Sequence, residues 1–270
     1  MTGGSRSLPE SPWLRLFQPR PDARARLVCL PHAGGSASFF RRWLDHLSDM
    51  VELVVVQYPG RENRIDDPLI DTMPVLIDAL MDEMSPILDR PYLLFGHSMG
   101  ATVAHELCLA LAHCGKPLPS HLVVSAKEAP IHHQEGSWHR ASDAVLWREL
   151  GRLGGMSPEL LDFDDLRDLL LPAIRSDYRL IETYRPAPVR ACLPTPIRAF
   201  VGRDDTELTA AQAADWSTFC SGGFQLHQFP GGHFYIKQYS SRVVTTLMDL
   251  MGCPCCCTSP ITSPLYRDRR

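Results

Sequence analysis

The stretch LLFGHSMGATVAHEL, residues 93–107, decides how this chain folds. Its first residues form an apolar run typical of a buried strand, and the residues after Gly100 have helical spacing. A direct change from strand to helix strains the residue at the turn and crowds the positions on either side of it, and glycine at 96 and 100 relieves that crowding. Ser98 lies at the turn, so the pattern predicts a nucleophilic serine held above the edge of a sheet. A tight turn without chemistry is the alternative.

Short apolar runs alternate with helical patterns along most of the chain. Runs that are apolar at nearly every position are typical of strands covered on both faces, and strand–helix alternation implies right-handed crossovers and parallel pairing. The predicted strands are 26–30, 51–58, 92–95, 121–126, 197–201 and 224–229. The predicted helices of this part are 72–88, 101–114, 209–220 and 234–251. We therefore predict an α/β fold with a mostly parallel, doubly wound sheet.

The alternation stops between residues 128 and 190, where apolar residues recur three and four apart without a strand. AVLWRELGRLGG (144–155), ended by Gly154 and Gly155, and DDLRDLLLPAIRSDYRLIETY (164–184) predict amphipathic helices. We divide the chain into an N-terminal extension (1–25), a core (26–127 and 191–252), a helical lid (128–190) and a disordered tail (253–270). The following lid residues either line a substrate pocket or bury the lid on the core: Met156, Leu160, Leu161, Leu169 and Leu170.

Composition argues against some classes of function. The 270-residue chain has a formal net charge of -4 and no long basic run, which argues against nucleic-acid binding. It contains neither a signal-peptide pattern nor 18 consecutive apolar residues, so we expect no membrane segment and a cytoplasmic location. We also expect a monomer.

The nine cysteines fall into two groups. Five are scattered in apolar segments, where reduced cysteine behaves as a small hydrophobic residue, and we expect buried free thiols at Cys29, Cys108, Cys114, Cys192 and Cys220. The other four lie in the Pro- and Ser-rich tail: Cys253, Cys255, Cys256 and Cys257. Adjacent cysteines do not readily close one tetrahedral metal site, which favours a disordered tail over metal binding.

A serine nucleophile needs a histidine base and an orienting acid, in the chain order Ser, Asp, His for this architecture. His233 follows FPGG, whose glycines let the loop curl toward the sheet edge, whereas His227 lies inside the strand-like run FQLHQF. The acid should follow the strand IRAFV, as both Asp204 and Asp205 do. Asp205 lies three residues past Gly202, a spacing that suits an inward carboxylate, so we predict Asp205 and keep Asp204 as the alternative.

Acyl transfer also needs hydrogen-bond donors for the tetrahedral oxyanion. The first predicted donor is the backbone N–H of Met99, directly after the nucleophile. The second is that of Ala33, in CLPHAGGSASFF (29–40), where two glycines permit close backbone approach. A glycine-rich turn into a helix near Phe39, with a structural His32, is the alternative. The chain contains no GxGxxG or Walker pattern, which argues against a phosphate cradle.

Four motifs occur in an order and spacing that resemble the type II thioesterases of modular polyketide synthases and nonribosomal peptide synthetases. They are LPHAGGSASFF (30–40), VQYPGRENR (56–64), FGHSMGATVAHEL (95–107) and FPGGHFYI (229–236). The medium-chain acyl-carrier-protein thioesterase of animal fatty acid synthase forms a related group. The resemblance runs from Leu27 to Met251, and the cysteine-rich tail lies outside it. The GxSxG motif alone would imply no more than an α/β-hydrolase.

The resemblance implies an α/β-hydrolase core with a helical lid, and hydrolysis of acyl thioesters from the phosphopantetheine arms of carrier proteins. It places the nucleophile on Ser98, the acid on Asp205, the base on His233 and the oxyanion donors on Ala33 and Met99. It also implies acyl or peptidyl carrier domains as partners and an editing role that removes aberrant or stalled acyl groups. The chemistry requires neither a metal nor an organic cofactor.

Three other functions are compatible with this architecture. A carboxylesterase or lipase acting on small esters would use the same catalytic groups, and so would a medium-chain thioesterase that releases finished chains. A binding protein with an α/β-hydrolase fold and no activity is the third. Loss of a triad residue is its usual mark, and all three residue types are present in this chain.

Overall fold

Seven strands form one sheet in the computed structural model, which describes residues 8–155, 162–187 and 192–252. In spatial order they are β1 (Leu14–Arg15), β3 (Val51–Val56), β2 (Ala25–Leu30), β4 (Tyr92–His97), β5 (His121–Ser125), β6 (Ile197–Gly202) and β7 (Phe224–Phe229). β1 pairs antiparallel with β3, and the other pairings are parallel. The six predicted strands and the mostly parallel sheet are confirmed. β1 was not predicted, because two residues are too few to create a periodic pattern.

The described helices are α1 (Met73–Met84), α2 (Met99–His113), α3 (Asp143–Leu153), α4 (Asp164–Thr183), α5 (Ala210–Ala214), α6 (Tyr235–Gln238) and α7 (Ser240–Leu250). Two predicted helices, 72–88 and 209–220, end in 3₁₀ turns, Ser85–Ile87 and Asp215–Phe219. The predicted helix 234–251 is divided at Tyr239 into α6 and α7. Of the helices that the structure describes, none combines the length and apolar character needed to span a bilayer.

Helices cover both faces of the sheet. One face packs against α1 and α2, where Leu76 and Leu107 are buried. The other packs against α7 and a 3₁₀ segment, Ala37–His46, where Trp43 and Leu247 are buried. Every residue of β2, β3 and β4 is buried, which explains why these strands read as continuous rather than alternating apolar runs.

The chain between β5 and β6 forms the β5–β6 insertion, of which residues 126–155, 162–187 and 192–196 are described. Helices α3 and α4 contain its small apolar cluster, formed by Leu146, Trp147, Leu150, Leu171 and Ile174. Gly154 ends α3 with φ 81°, as its sequence predicted. Of the five residues predicted either to line a pocket or to bury the lid, Leu170 packs on this cluster and Leu169 is exposed, while Met156, Leu160 and Leu161 lie outside the described residues.

The cysteine prediction is correct in part. Cys29 and Cys108 are buried free thiols, but Cys114 and Cys192 are exposed and Cys220 is half-buried. These three lie at or beyond the ends of helices and strands, where an apolar neighbourhood in sequence does not produce burial. The four tail cysteines lie outside the described residues.

The order of the strands creates a crevice at one edge of the sheet. The chain passes from β2 to β3 on one side and then returns to place β4 on the other side of β2. Loops that follow two such neighbouring strands diverge, so the carboxyl ends of β2 and β4 form a topological switch point where ligands bind in open α/β sheets. Ala33 follows β2 and Ser98 follows β4, which places both at this crevice.

A buried ion pair joins the opposite, amino-terminal ends of two central strands. Arg26 of β2 and Glu52 of β3 have side chains 0% and 1% exposed, and Nε of Arg26 donates to a Glu52 carboxylate oxygen at 2.9 Å. Nη1 of Arg26 also donates to the backbone oxygen of Ile87 at 2.8 Å and pairs with Asp89. The pair therefore fixes β2, β3 and the turn before β4 to one another.

We expect Arg26→Ala to lower the free energy of unfolding by about 3–5 kcal/mol, because it leaves the Glu52 carboxylate buried without its partner. Urea denaturation measures the loss. Asp89→Asn is the control, since that side chain is 43% exposed and its loss should stay below about 1 kcal/mol. A double variant, Arg26→Met with Glu52→Leu, should lose less than Arg26→Ala alone. An equal loss in the double variant would contradict this explanation.

Candidate active site

Ser98 has a strained backbone at the end of β4, with φ 53° and ψ −119°. Few non-glycine residues adopt a positive φ, and such strain persists only where the surrounding structure holds it. Its backbone N–H donates to the oxygen of Ser125 on β5 at 2.8 Å, and its own oxygen accepts from Ala101 of α2 at 2.9 Å. The strand before it and the helix after it thus fix the direction of the Ser98 side chain.

The glycines around Ser98 make room for backbone rather than for side chains. A Cβ at Gly96 would lie 2.1 Å from the backbone oxygen of Gly100, which confirms the predicted crowding across the turn. A Cβ at Gly100 would lie 2.2 Å from the backbone oxygen of Leu30, at the end of β2. The second glycine therefore also brings the turn against β2, close to the loop that contains Ala33.

His233 and Asp205 lie together at the same edge of the sheet. Nδ1 of His233 is 3.0 Å from one carboxylate oxygen of Asp205 and 3.2 Å from the other. The Asp205 side chain is 0% exposed, and it also accepts from the backbone N–H of Glu207 at 2.9 Å. The structure thus contains the predicted pair of His233 and Asp205. Neither Asp204 nor His227 replaces a member of this pair.

The two alternatives have other contacts. Asp204 accepts from the N–H of Gly231 at 3.1 Å, and its own N–H donates to the Gly231 oxygen at 3.0 Å. His227 lies on β7, where its ring packs 5.0 Å from that of Phe200. Asp204 thus fastens the loop that contains His233 to the end of β6. Gly202 permits this approach, because a Cβ there would lie 2.4 Å from the oxygens of Gly231 and Gly232.

The loop after β2, residues 31–36 (the β2 loop), engages two of its N–H groups with described residues and leaves that of Ala33 free. That of Gly34 donates to Asp177 of α4 at 2.7 Å, and that of Gly35 donates to the oxygen of His32 at 2.9 Å. The N–H of Ala33 donates to none of the described residues. Neither does that of Met99, the first residue of α2, where helical N–H groups have no partner within the helix. Both residues line the same cleft as Ser98.

Two further imidazoles lie near His233 and stay neutral. Burial, and next the nearby His233, lower the pKa of His32 to about 3. Burial, followed by the charges of His233 and His32, also holds the pKa of His97 well below its usual range. The His97 ring lies 5.5 Å from that of His233 and 5.8 Å from that of His32. Neither ring therefore adds positive charge beside His233 at neutral pH.

Two cavities meet at Ser98, and both are also lined by Ala33 and His233. The inner cavity has a volume of about 70 Å³, and its apolar wall consists of Leu150, Leu153, Ile174, Tyr178 and Phe234. The outer cleft has a volume of about 350 Å³, and its polar wall includes Lys127, Glu128, His132, Glu149, Glu207 and Gln212. Most of the inner wall comes from α3 and α4, so the β5–β6 insertion supplies it. A larger groove, about 1150 Å³, lies among α1, α2 and the end of α4, without any of the predicted site residues.

The Ser98 hydroxyl makes no hydrogen bond with His233 among the described residues, although both line the two cavities. Bonds of this kind often become short only when substrate binds. The described residues also contain no group of three or more His, Cys, Asp or Glu side chains arranged to hold a metal ion.

Sequence reasoning missed three groups at this site. Ser125 bonds through Oγ to Nδ1 of His97 at 2.8 Å and to the hydroxyl of Tyr235 at 2.6 Å. Arg61 and Asp177 form a buried ion pair below the β2 loop. The described part of the inner wall contains Leu150 and other residues that were not predicted. Arg61 lies in the motif VQYPGRENR, and that motif was the one signal available in the sequence. Ser125, Asp177 and the residues of the inner wall belong to no local pattern.

Comparison with known proteins identifies the family of this chain. The model of the thioesterase domain family matches residues 25–250. The chain is 37% identical over 238 residues to thioesterase PikA5 of Streptomyces venezuelae, covering 88% of this chain and 84% of that protein. It is 30% identical over 224 residues to the human medium-chain S-acyl fatty acid synthase thioesterase, with coverages of 80% and 82%. The type II thioesterase BorB from the borrelidin biosynthetic cluster superimposes with a TM-score of 0.80 and 34% identity, over 91% of this chain and 99% of that one. This chain therefore belongs to the thioesterase domain family.

Proposed function

We propose that this thioesterase edits a polyketide or nonribosomal peptide synthase by hydrolysing short, aberrant or stalled acyl groups from the phosphopantetheine arms of its carrier proteins. One observation carries the proposal: Ser98 lies where a small apolar cavity meets an open polar cleft. A thioester on a carrier arm has this same division, with an acyl group on one side of the reacting carbonyl and a long polar arm on the other. The relatives PikA5 and BorB support the assignment to such a pathway.

In the proposed mechanism, His233 removes the proton from the Ser98 hydroxyl, and Oγ attacks the thioester carbonyl. The N–H groups of Ala33 and Met99 hold the resulting oxyanion. Asp205 keeps the proton of His233 on Nδ1, so that Nε2 is free to act as the base. The C–S bond breaks, and the pantetheine thiolate leaves with the proton from His233. Water, activated by the same imidazole, then hydrolyses the acyl ester and restores Ser98.

The inner cavity supports a preference for short acyl groups. About 10–15 Å³ of such volume holds one water, so a cavity of about 70 Å³ has room for on the order of five heavy atoms. An acyl chain of about two to five carbons fits this space, whereas a finished polyketide or peptide does not enter without movement of the wall. We infer that the β5–β6 insertion acts as the lid that sets this limit.

The outer cleft supports a role in holding the arm. Phosphopantetheine contains two amides and a hydroxyl, and the cleft wall offers charged and amide side chains that can form hydrogen bonds with them. The proposed cycle requires neither a metal nor an organic cofactor. We further propose that the enzyme works as a cytoplasmic monomer whose partners are carrier domains, rather than nucleic acid or a membrane.

The assignment of the acid predicts different effects at two adjacent residues. Asp205→Asn should lower kcat about 10⁴-fold, because the amide favours the wrong tautomer of His233. Asp204→Asn should lower it no more than a few-fold, because an amide oxygen can still accept from Gly231. Steady-state hydrolysis of one acyl-loaded carrier protein measures kcat for both variants. A larger loss of kcat in Asp204→Asn than in Asp205→Asn would instead assign the acid to Asp204.

The role of the inner cavity predicts a change in acyl preference. Leu150→Ala enlarges its wall, so the ratio of kcat/KM for octanoyl to that for acetyl carrier protein should rise about tenfold, since each buried methylene contributes about 0.8 kcal/mol. Leu146→Ala is the matched control, because Leu146 lies one turn earlier in α3, in the same apolar cluster but outside the cavity wall. The same change of ratio in both variants would rule out this cavity as the acyl site.

Mass spectrometry of a panel of loaded carrier proteins tests the proposal as a whole. The enzyme should unload short acyl groups faster than full-length chains, and Ser98→Ala should unload none. The same acyl groups presented on coenzyme A and as nitrophenyl esters serve as comparison substrates. Activity on the small esters without activity on any carrier would favour the carboxylesterase alternative. Faster release of medium-length or finished chains than of short ones would favour chain release over editing.

A further inference from the structure

The ion pair between Arg61 and Asp177 holds the β2 loop from below. Nη1 of Arg61 donates to one carboxylate oxygen of Asp177 at 2.7 Å, and Nη2 donates to the other at 2.8 Å. Both side chains are 5% exposed. Asp177 also accepts from the N–H of Gly34 at 2.7 Å, and Arg61 donates to the backbone oxygen of Gly35 at 3.0 Å. One ion pair therefore holds an N–H and a carbonyl of two adjacent loop residues.

Other contacts join this loop, and Ala37 directly after it, to Arg61 and to α4. Gln57 accepts from the N–H of Ala37 at 2.7 Å and donates to the backbone oxygen of Arg61 at 3.0 Å. Helix α4 packs directly on Gly34, where φ is 75° and a Cβ would lie 2.8 Å from a side-chain carbon of Ile174. The position of the loop thus depends on α4, although α4 belongs to the β5–β6 insertion.

Stability alone does not explain a buried pair of this kind. Apolar residues of similar volume often replace a buried ion pair without loss of stability. The Asp177 carboxylate accepts from the Gly34 N–H, next to Ala33, and so fixes the orientation of that peptide. An apolar side chain cannot do this. The carboxylate also occupies the Gly34 N–H, whereas the N–H of neighbouring Ala33 donates to none of the described residues. Oxyanion stabilisation depends on donors held in place before the reaction begins.

We propose that Asp177, paired with Arg61, is a positioning residue through which inserted helix α4 holds the β2 loop in the geometry that presents the Ala33 N–H to the oxyanion. The proposal rests on the proposed function in one respect, the role of Ala33 as an oxyanion donor. It makes catalytic competence depend on the position of the inserted helix. Asp177 itself touches no reacting atom.

The test is Asp177→Asn, with Glu52→Gln as the matched control. Each replaces a buried carboxylate that pairs with a buried arginine by an amide, but Glu52 lies at the amino-terminal end of the sheet. We expect both variants to lose stability to urea, while only Asp177→Asn loses kcat, by about 10–100-fold, bounded by the 10²–10³-fold effect of removing an oxyanion donor. KM for the loaded carrier should stay within about threefold in both, since the arm and acyl contacts are unchanged.

A transition-state analogue separates positioning from a merely structural role. A trifluoromethyl ketone analogue of the acyl group forms a tetrahedral adduct with Ser98, and its affinity should weaken in Asp177→Asn in parallel with kcat/KM. A non-hydrolysable thioether analogue of the substrate should bind as it does to the wild type. Unchanged kcat and unchanged ketone affinity in folded Asp177→Asn would overturn the proposal, and so would an equal loss of kcat in Glu52→Gln.

A double variant covers the case in which Asp177→Asn fails to fold. Arg61→Met with Asp177→Leu replaces the ion pair by apolar side chains, which should preserve stability but leave the β2 loop unheld. A stable double variant with wild-type kcat would overturn the proposal. Hydrolysis of nitrophenyl acetate is measured in parallel, because it uses the same oxyanion site. If wild type hydrolyses this ester but no carrier thioester, the proposed function fails, and the ester kinetics and ketone affinity still decide the role of Asp177.

Discussion

The strained backbone of Ser98 is the constraint on which the rest of the site depends. Its φ of 53° and ψ of −119° belong to a conformation that costs about 1–3 kcal/mol, so neighbouring structure must hold it. The hydrogen bond to Ser125 and the fully buried strand β4 hold this conformation. Gly96 and Gly100 permit it, because a side chain at either position would clash with nearby backbone. Because Gly100 lies against the end of β2, the same turn fixes the distance between the Ser98 strand and the β2 loop.

Ser125 extends this constraint to the proposed base. Its backbone oxygen accepts from the N–H of Ser98, and its hydroxyl bonds to both His97 and Tyr235. Tyr235 lies two residues after His233, at the start of α6. One residue at the end of β5 therefore anchors the turn of the proposed nucleophile and the loop of the proposed base. The neutral state of His97, enforced by burial, keeps this anchor free of charge.

Local features of this site could be predicted from the sequence, and features that join distant segments could not. Neighbouring residues limit the backbone directly through their types. They determine the turn around Ser98, the loop before His233 and the six predicted strands. Arg61 and Asp177 are 116 residues apart, and a tertiary contact of this kind has no local pattern. Arg26 and Glu52 lie inside apolar runs, and each is tolerated there because the other is present. The spacing from Gly202 favours Asp205 over Asp204 as the acid, because turn geometry is itself a local feature.

Helix α4 joins the shape of the inner cavity to the geometry of the β2 loop. Ile174, Asp177 and Tyr178 are spaced i, i+3 and i+4 and so share one face of the helix. Ile174 and Tyr178 line the inner cavity, while Asp177 holds the loop. A substitution that resizes the cavity from α4 will therefore also shift the loop that contains Ala33. The α3 residues of this wall, Leu150 and Leu153, have apolar side chains that form no hydrogen bond to the β2 loop, so acyl preference can change there at a smaller cost in turnover.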